Sequence, residues 1–201
     1  MANFERNGYG QVEPNQLSAL KTGQIYASLP LDASVNVLQN GEFMYYDYKT
    51  GTVTADATIG EPMLVYNEIK LYEPYWQTTY KDFAMIRVGD NYVTSRRATE
   101  AYGDGALNVG AADPHHTEYG YRMDGIAPRL LKTNVGDIYT TNMVKTGVEY
   151  SQGDLLTPVK DAASNTLVLE TATGSEKMVS QVAKVYTMPD GQPGLKIQRV
   201  V

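Results

Sequence analysis

The chain has 201 residues, enough to bury a substantial core as one large or two small domains. Its formal charge of −6 and pI of about 4.9 exclude a protein that tracks phosphates through clustered Lys and Arg. The absence of Cys excludes disulfides, thiolate metal sites and Cys nucleophiles, and 16 Tyr against 3 Phe and 1 Trp point to sheets with wet faces and to surfaces that meet another protein.

Residues 1–22 carry Asn7-Gly8, Gly10 and Glu13-Pro14-Asn15 with few apolar positions. Such a segment cannot bury enough surface to fold alone, so it reads as a frayed end or as an arm that orders against a partner. It has neither the basic start nor the apolar run of a secretory signal, and no later window approaches the ~18 apolar residues of a membrane-crossing helix. The expectation is a soluble product made without export, with no membrane and no nucleic-acid partner. The best helical candidate is 15–21, with Asn15 as its cap.

Strands begin at Gly23. Residues 35–38 and 43–46 flank Asn40-Gly41, a pair that tolerates positive φ at both central turn positions and so predicts a hairpin. Lys49-Thr50-Gly51 turns the chain into 52–54, and the apolar run 63–66 reads as a buried strand. Residues 81–88 and 92–94 read as two further strands about Gly89-Asp90-Asn91. The stretch 98–125 is dense in Gly, Asp and Pro and reads as a loop excursion.

From Pro128 onward the pattern is again that of strands. Val144, Thr146, Val148 and Tyr150 alternate as in a half-buried strand. The polar turn 150–155 leads into a pair, 154–160 and 166–171. Pro189-Asp190-Gly191 joins two runs into a hairpin over 182–201. The whole is expected to be all-β and mainly antiparallel, built as small barrel or sandwich domains with long loops and an extended N-terminal arm. The divisions are an arm at 1–22, a β-rich domain at 23–127 and a C-terminal barrel-like domain at 128–201.

Catalytic and metal motifs are weak. His115 and His116 lie beside Asp113 and Glu118, but adjacent side chains of one loop rarely converge on one ion, and no distant third ligand stands out. Asp137 and Asp154 each follow a Gly, where a carboxylate more often caps its own turn than transfers protons. Gly103-Asp104-Gly105 with Gly110 is too loose for a phosphate loop, and no Gly-x-Ser-x-Gly occurs. Tyr75, Trp76, Tyr80 and Phe83 could stack on a sugar, although core or interface packing is the commoner use of such aromatics. No catalytic, cofactor-binding or metal-binding residue is expected.

The run PRLLKTNVGDIYTTNMV at 128–144, followed by Tyr150-Ser151-Gln152-Gly153-Asp154 and a terminal hairpin with Asp190-Gly191-Gln192, resembles the small β-rich auxiliary capsid proteins of tailed bacteriophages, called decoration, cement or minor head proteins. The resemblance covers about the last 75 residues. It implies a virion protein made in the bacterial cytoplasm and placed on the capsid surface. Its partner would be the major capsid protein, its form a homo-oligomer such as a trimer, and it would need neither cofactor nor catalysis. Contacts are then expected from Phe4, Tyr9 and Val12 of the arm, which could add to a sheet edge, and from Tyr72, Tyr75 and Trp76. Two rival readings are a host-surface or glycan-binding head-fibre or tail-associated protein, and a metal-dependent hydrolase built on His115 and His116.

Overall fold

A computed structural model describes residues 4–6, 10–35, 37–67, 127–162, 165–188 and 191–201, together with the backbone of 85–87, 92–93 and 120–121. The described strands in chain order are β1 (Val12–Gln16), β2 (Ile25–Tyr26), β3 (Val37–Gln39), β4 (Phe43–Asp47), β5 (Thr52–Thr54), β6 (Met63–Val65), β7 (Met85–Arg87) and β8 (Tyr92–Val93). They continue with β9 (Gly120–Tyr121), β10 (Leu130–Leu131), β11 (Ile138–Thr141), β12 (Leu155–Asp161), β13 (Thr166–Thr171), β14 (Ser180–Thr187) and β15 (Pro193–Arg199). One short helix, α1 (Ser18–Thr22), and a single 3-10 turn at Ala57–Ile59 complete the described elements.

The molecule is nearly all antiparallel β. Ten strands lie in the order β1-β11-β15-β14-β12-β13-β4-β6-β10-β2, forming one sheet curled into a half-barrel, and β5 pairs with β4 off that path. Strands from both sides of the junction expected near Pro128 share this sheet: β1 bonds β11, β13 bonds β4, and β10 lies between β6 and β2. The core includes Phe43, Leu64, Leu130, Leu131, Tyr139, Leu156, Leu169, Leu195 and Ile197, all without exposed surface. Each such burial is worth about 1.5–3 kcal/mol.

Local turn chemistry accounts for the hairpins. Gly51, at φ +72°, closes β4–β5, and Asp47 accepts from Lys49 N at 2.8 Å and Thr50 Oγ1 at 2.7 Å. The β12–β13 and β14–β15 pairs form as the sequence predicts, with Gly191 at φ +86° in the second turn.

Three expectations fail for non-local reasons. The Asn40-Gly41 turn exists, with Gly41 at φ +93°, but it does not make a hairpin, because β3 pairs with β7 and β4 with β13, β6 and β5. The Asn40 side chain is held by Asn67 instead, donating to its carbonyl at 3.0 Å and accepting from its N–H at 2.8 Å. Gly41 N donates to Val65 O, and Val65 N to Glu42 O, both at 2.8 Å, so β6 satisfies the turn that a partner strand would have satisfied. Residues 144–150 are irregular rather than a strand: Val144 makes an isolated bridge with Leu169, and Gly147 turns the chain at φ +76°. Finally, the helix starts at Ser18, not Asn15, which lies in β1 and accepts from Thr140 Oγ1. The capping carboxylate comes from Asp137, which takes Ser18 N at 3.0 Å and Ser18 Oγ at 2.9 Å across a separation of 119 residues.

The leader is folded onto its own chain. Phe4 exchanges backbone bonds with Gly147 and Val148 and packs edge-on against Tyr150 at 5.9 Å. Gln11 N donates to Asn142 Oδ1 at 2.7 Å, and Thr141 Oγ1 to Gln11 O at 2.9 Å. Leu17, just before α1, and Ala19 within it enter the core. The chain's other end is fixed by Arg199, buried beneath Thr133 and Glu61, whose guanidinium donates to both and to Val201 O.

Two glycines separate steric fit from dihedral strain. A Cβ on Gly41 would stand 2.7 Å from Thr141 Oγ1 and 2.8 Å from Met143 Cγ, whereas one on Gly51 would meet nothing within 4 Å. In urea denaturation, Gly41→Ala is expected to lose ~3 kcal/mol or more and Gly51→Ala about 1 kcal/mol. Equal losses would show that the 39–42 turn is not tightly enclosed.

Candidate interaction surface

Alternation in FMYYDY puts Tyr46 and Tyr48 on one side of β4 and its turn, and β2 brings Tyr26 beside them. The rings form a continuous stack: Tyr26 and Tyr46 have centroids 5.3 Å apart, and Tyr46 and Tyr48 5.1 Å apart with their planes at 70°. Edge-to-face and tilted pairs of this kind are each worth ~0.5–1.5 kcal/mol beyond area burial. Tyr46 is fixed from within, its hydroxyl sharing a 2.5 Å bond with Ser28 Oγ and accepting from Ser28 N at 3.2 Å. Tyr48, at the outer end, is 76% exposed. The stack thus holds a large amphipathic ring in solvent at low entropic cost, as an interface anchor requires.

Of the contact residues expected from the sequence, Phe4 is buried against Tyr150 and Val12 is half-buried against the same core. Both make contacts within the chain, where β11 and the 147–148 turn bond the leader. Tyr9, Tyr72, Tyr75 and Trp76 lie outside the described residues. So do His115, His116, Asp113, Glu118, Tyr80 and Phe83, and most of the 98–125 excursion. Sequence reasoning did not single out Tyr46 and Tyr48, although their i, i+2 spacing in a strand that ends at Lys49-Thr50-Gly51 was a usable signal.

The carboxylates weighed for chemistry are committed to turns. Asp137 Oδ2 accepts from Asn134 N at 2.8 Å and Asp154 Oδ2 from Ser151 N at 2.7 Å. A cleft of about 610 Å³ between the 54–57 corner and the β12–β13 hairpin is lined by Asp56, Lys160, Asn165 and Glu176 among others. Asp56 is held below the ordinary carboxylate range by its bonds to Thr58, and Glu176 is held down at about 2 by the Thr173 and Gly174 donors it caps. Both shifts run opposite to what a general acid needs near neutral pH. Among the described residues no group of three or more His, Asp and Glu is placed to hold a metal ion, and no helix is long and apolar enough to cross a membrane.

Among the described residues, the carboxyl displaced upward is that of Glu42, which has no exposed surface. Its Oε2 accepts from Gln39 N at 2.9 Å, while Oε1 is buried without a partner. Desolvation pushes its pKa up to about 8 against the Gln39 and Thr166 hydrogen bonds and the charge of Arg6, which pull it down, while Asp161 adds to the rise. The residue is structural by position, at the start of β4 beneath the leader.

Because folding raises this pKa above its ordinary 4.5, the stability that protonated Glu42 supplies is full below that value. It is lost as pH climbs through about 8. Glu42→Gln, which stays neutral, is expected to match the parent near the lower limit and to exceed it above the upper one by on the order of 2–4 kcal/mol. Thermal or urea unfolding of the two proteins across this range checks it, and a pH-independent difference would mean that Glu42 is not buried as described.

Compared with known protein families, characterised proteins and solved structures, the chain matches none.

Proposed function

We propose that this chain is a non-enzymatic capsid decoration, or cement, protein of a tailed bacteriophage. It binds the outer surface of the major capsid protein lattice as a homo-oligomer and bridges neighbouring subunits. The observation that carries the reading is the stack of Tyr26, Tyr46 and Tyr48, which projects one exposed ring from a rigid sheet. The resemblance of 128–201 to auxiliary capsid proteins supports it, as do the acidic balance and the absence of Cys.

On this reading the protein contributes surface rather than reactivity. Modest contacts, repeated over a symmetric shell, raise shell stability by mass action and avidity. The leader serves by completing the sheet, since β1 pairs with β11 and Phe4, Leu17 and Ala19 are core residues of the same chain. The same exposed Tyr48 favours a second reading, a glycan-binding head-fibre or tail-associated protein, because an aromatic face also packs on the apolar face of a sugar.

Purified protein is mixed with expanded capsids built from the coat protein encoded beside its gene, and the shells are pelleted and melted. The expected result is co-sedimentation with a raised shell melting temperature. Tyr48→Ala, an exposed site whose loss leaves the fold intact, should weaken occupancy ~tenfold. Protein that stays in the supernatant overturns the reading, and saccharide binding that Tyr48→Ala removes, with no capsid binding, hands the function to the glycan alternative.

A further inference from the structure

β14 outruns its neighbour on one side. Gln181 and Ser180 pair with Leu155 and Leu156 of β12, and the last bonds on that side join Val182 to Asp154 and Gly153. A register shift against β15 between Val182 and Lys184 leaves Ala183 as a bulge, which raises the local twist and turns the rest of the strand away from β12. From there to Thr187 the strand is paired with β15 alone.

The parity of that pairing fixes which groups are free. Met188 N donates to Gln192 O at 2.7 Å, so by alternation Tyr186 and Lys184 turn their backbone groups to Gly194 and Lys196. The N–H and C=O groups of Val185 and Thr187 therefore face outward, and among the described residues nothing bonds them. The two ends of the large sheet are blunted by comparison. β1 carries Pro14 and a register break between Glu13 and Gln16, and β2 is two residues long. The open part of β14 has β-branched Val185 and Thr187 around Tyr186, with Val185 48% and Tyr186 36% exposed.

Charge selects the occupant. Lys184 sits directly opposite Lys196, and like charges so placed on neighbouring strands destabilise a hairpin. Along the row, Thr140 lies opposite Lys196 and Glu13 opposite Thr140, so the nearest acid in it is three strand spacings from Lys184, roughly 14 Å. On a chain of net charge −6 this is a local positive spot beside an unfilled ladder. A strand added here would place one of its residues directly beside Lys184.

The geometry points to the outer edge of 184–187 as a docking site for an extended acidic segment of another protein, which adds as a further strand, bonds the backbone of Val185 and Thr187 and sets a Glu or Asp against Lys184. This stands apart from the capsid reading, since it requires only the edge and its charge.

The test titrates the full-length, isotope-labelled chain at low salt with a capped peptide that alternates glutamate with valine, and with its lysine-for-glutamate counterpart. The acidic peptide should protect the Val185 and Thr187 amides from hydrogen exchange, bind ~tenfold or more tightly than the basic one and weaken as salt is raised. Val185→Pro removes an outward N–H while sparing the bonds to β15, so binding should vanish with the sheet signal in circular dichroism kept. Lys184→Glu should reverse the peptide preference, and this variant decides the matter if the proline variant loses its sheet. Equal affinity for both peptides, or unaltered Val185 and Thr187 amides, overturns the proposal. Protection of those amides in a concentration-dependent dimer without peptide overturns it in favour of a second copy.

Discussion

The turn from Gln39 to Glu42 is the point at which separate parts of the chain are forced into contact. Gly10 N donates to Gln39 Oε1 at 2.9 Å, and a Cβ on Gly10 would run into Asn40 O and Met143. Gly41 sits as tightly against Thr141 and Met143 from the end of β11, and its N–H is taken by β6. Leader, β4, β6 and the segment after β11 therefore meet where two residues lack side chains, and a larger residue at either would have to displace its neighbours. Glu42 is buried by the same closeness. Its desolvation is a cost of the convergence, offset by the core that the convergence closes.

From that turn the order of the sheet follows. Phe43 is paired on one side with Leu167 of β13 and on the other with Leu64 of β6, so it joins the C-terminal hairpins to the strands before them. At the far edge the leader joins the same hairpins through β1 and β11. The C-terminal strands are thus flanked by N-terminal ones on both sides, and neither part can complete the curled sheet without the other. Such pairing between distant segments must overcome loop-closure entropy before it is rewarded, which places the chain among the slower-folding β topologies.

What was legible in the sequence was local. β4–β5 and β14–β15 were readable because the Gly that closes each turn lies inside it, β12–β13 turns at Asn165 with φ +57°, and the alternation of all three needs no further information. Asn40-Gly41 carried an equally strong hairpin signal, yet its flanking strands part because Asn67 and Val65, more than twenty residues on, satisfy the turn. Asn15 lost the capping role to Asp137 for the same reason, and the alternation at 144–150 lost to the backbone of Phe4. The leader looked too polar to fold because its bonds are supplied by Thr140, Thr141 and Asn142, which no local pattern connects to it. The candidate contact face was half legible: tyrosine excess marked the type of surface, but only pairing partners showed which rings are turned outward.

Among the described residues the tyrosines include two contrasting kinds. Tyr45, Tyr46, Tyr139 and Tyr150 are buried, and their phenols behave as core groups: Tyr150 donates to Lys145 O at 3.1 Å, and burial, aided by the Glu170 charge, pushes it up to about 12. Tyr139, wholly enclosed and with no partner for its hydroxyl, is pushed up further by burial, with the Asp137 charge adding to it, against the pull of Arg199. Tyr48 and Tyr186 are the other kind, with rings held by a strand or a neighbouring ring and little else. A count of tyrosines therefore says less than the way each is restrained. Tyr48 and Tyr186 stand where the curled sheet ends its own pairing, one at the β4–β5 turn and one on the open run of β14, so the limits of the described fold and the candidate contact surfaces coincide.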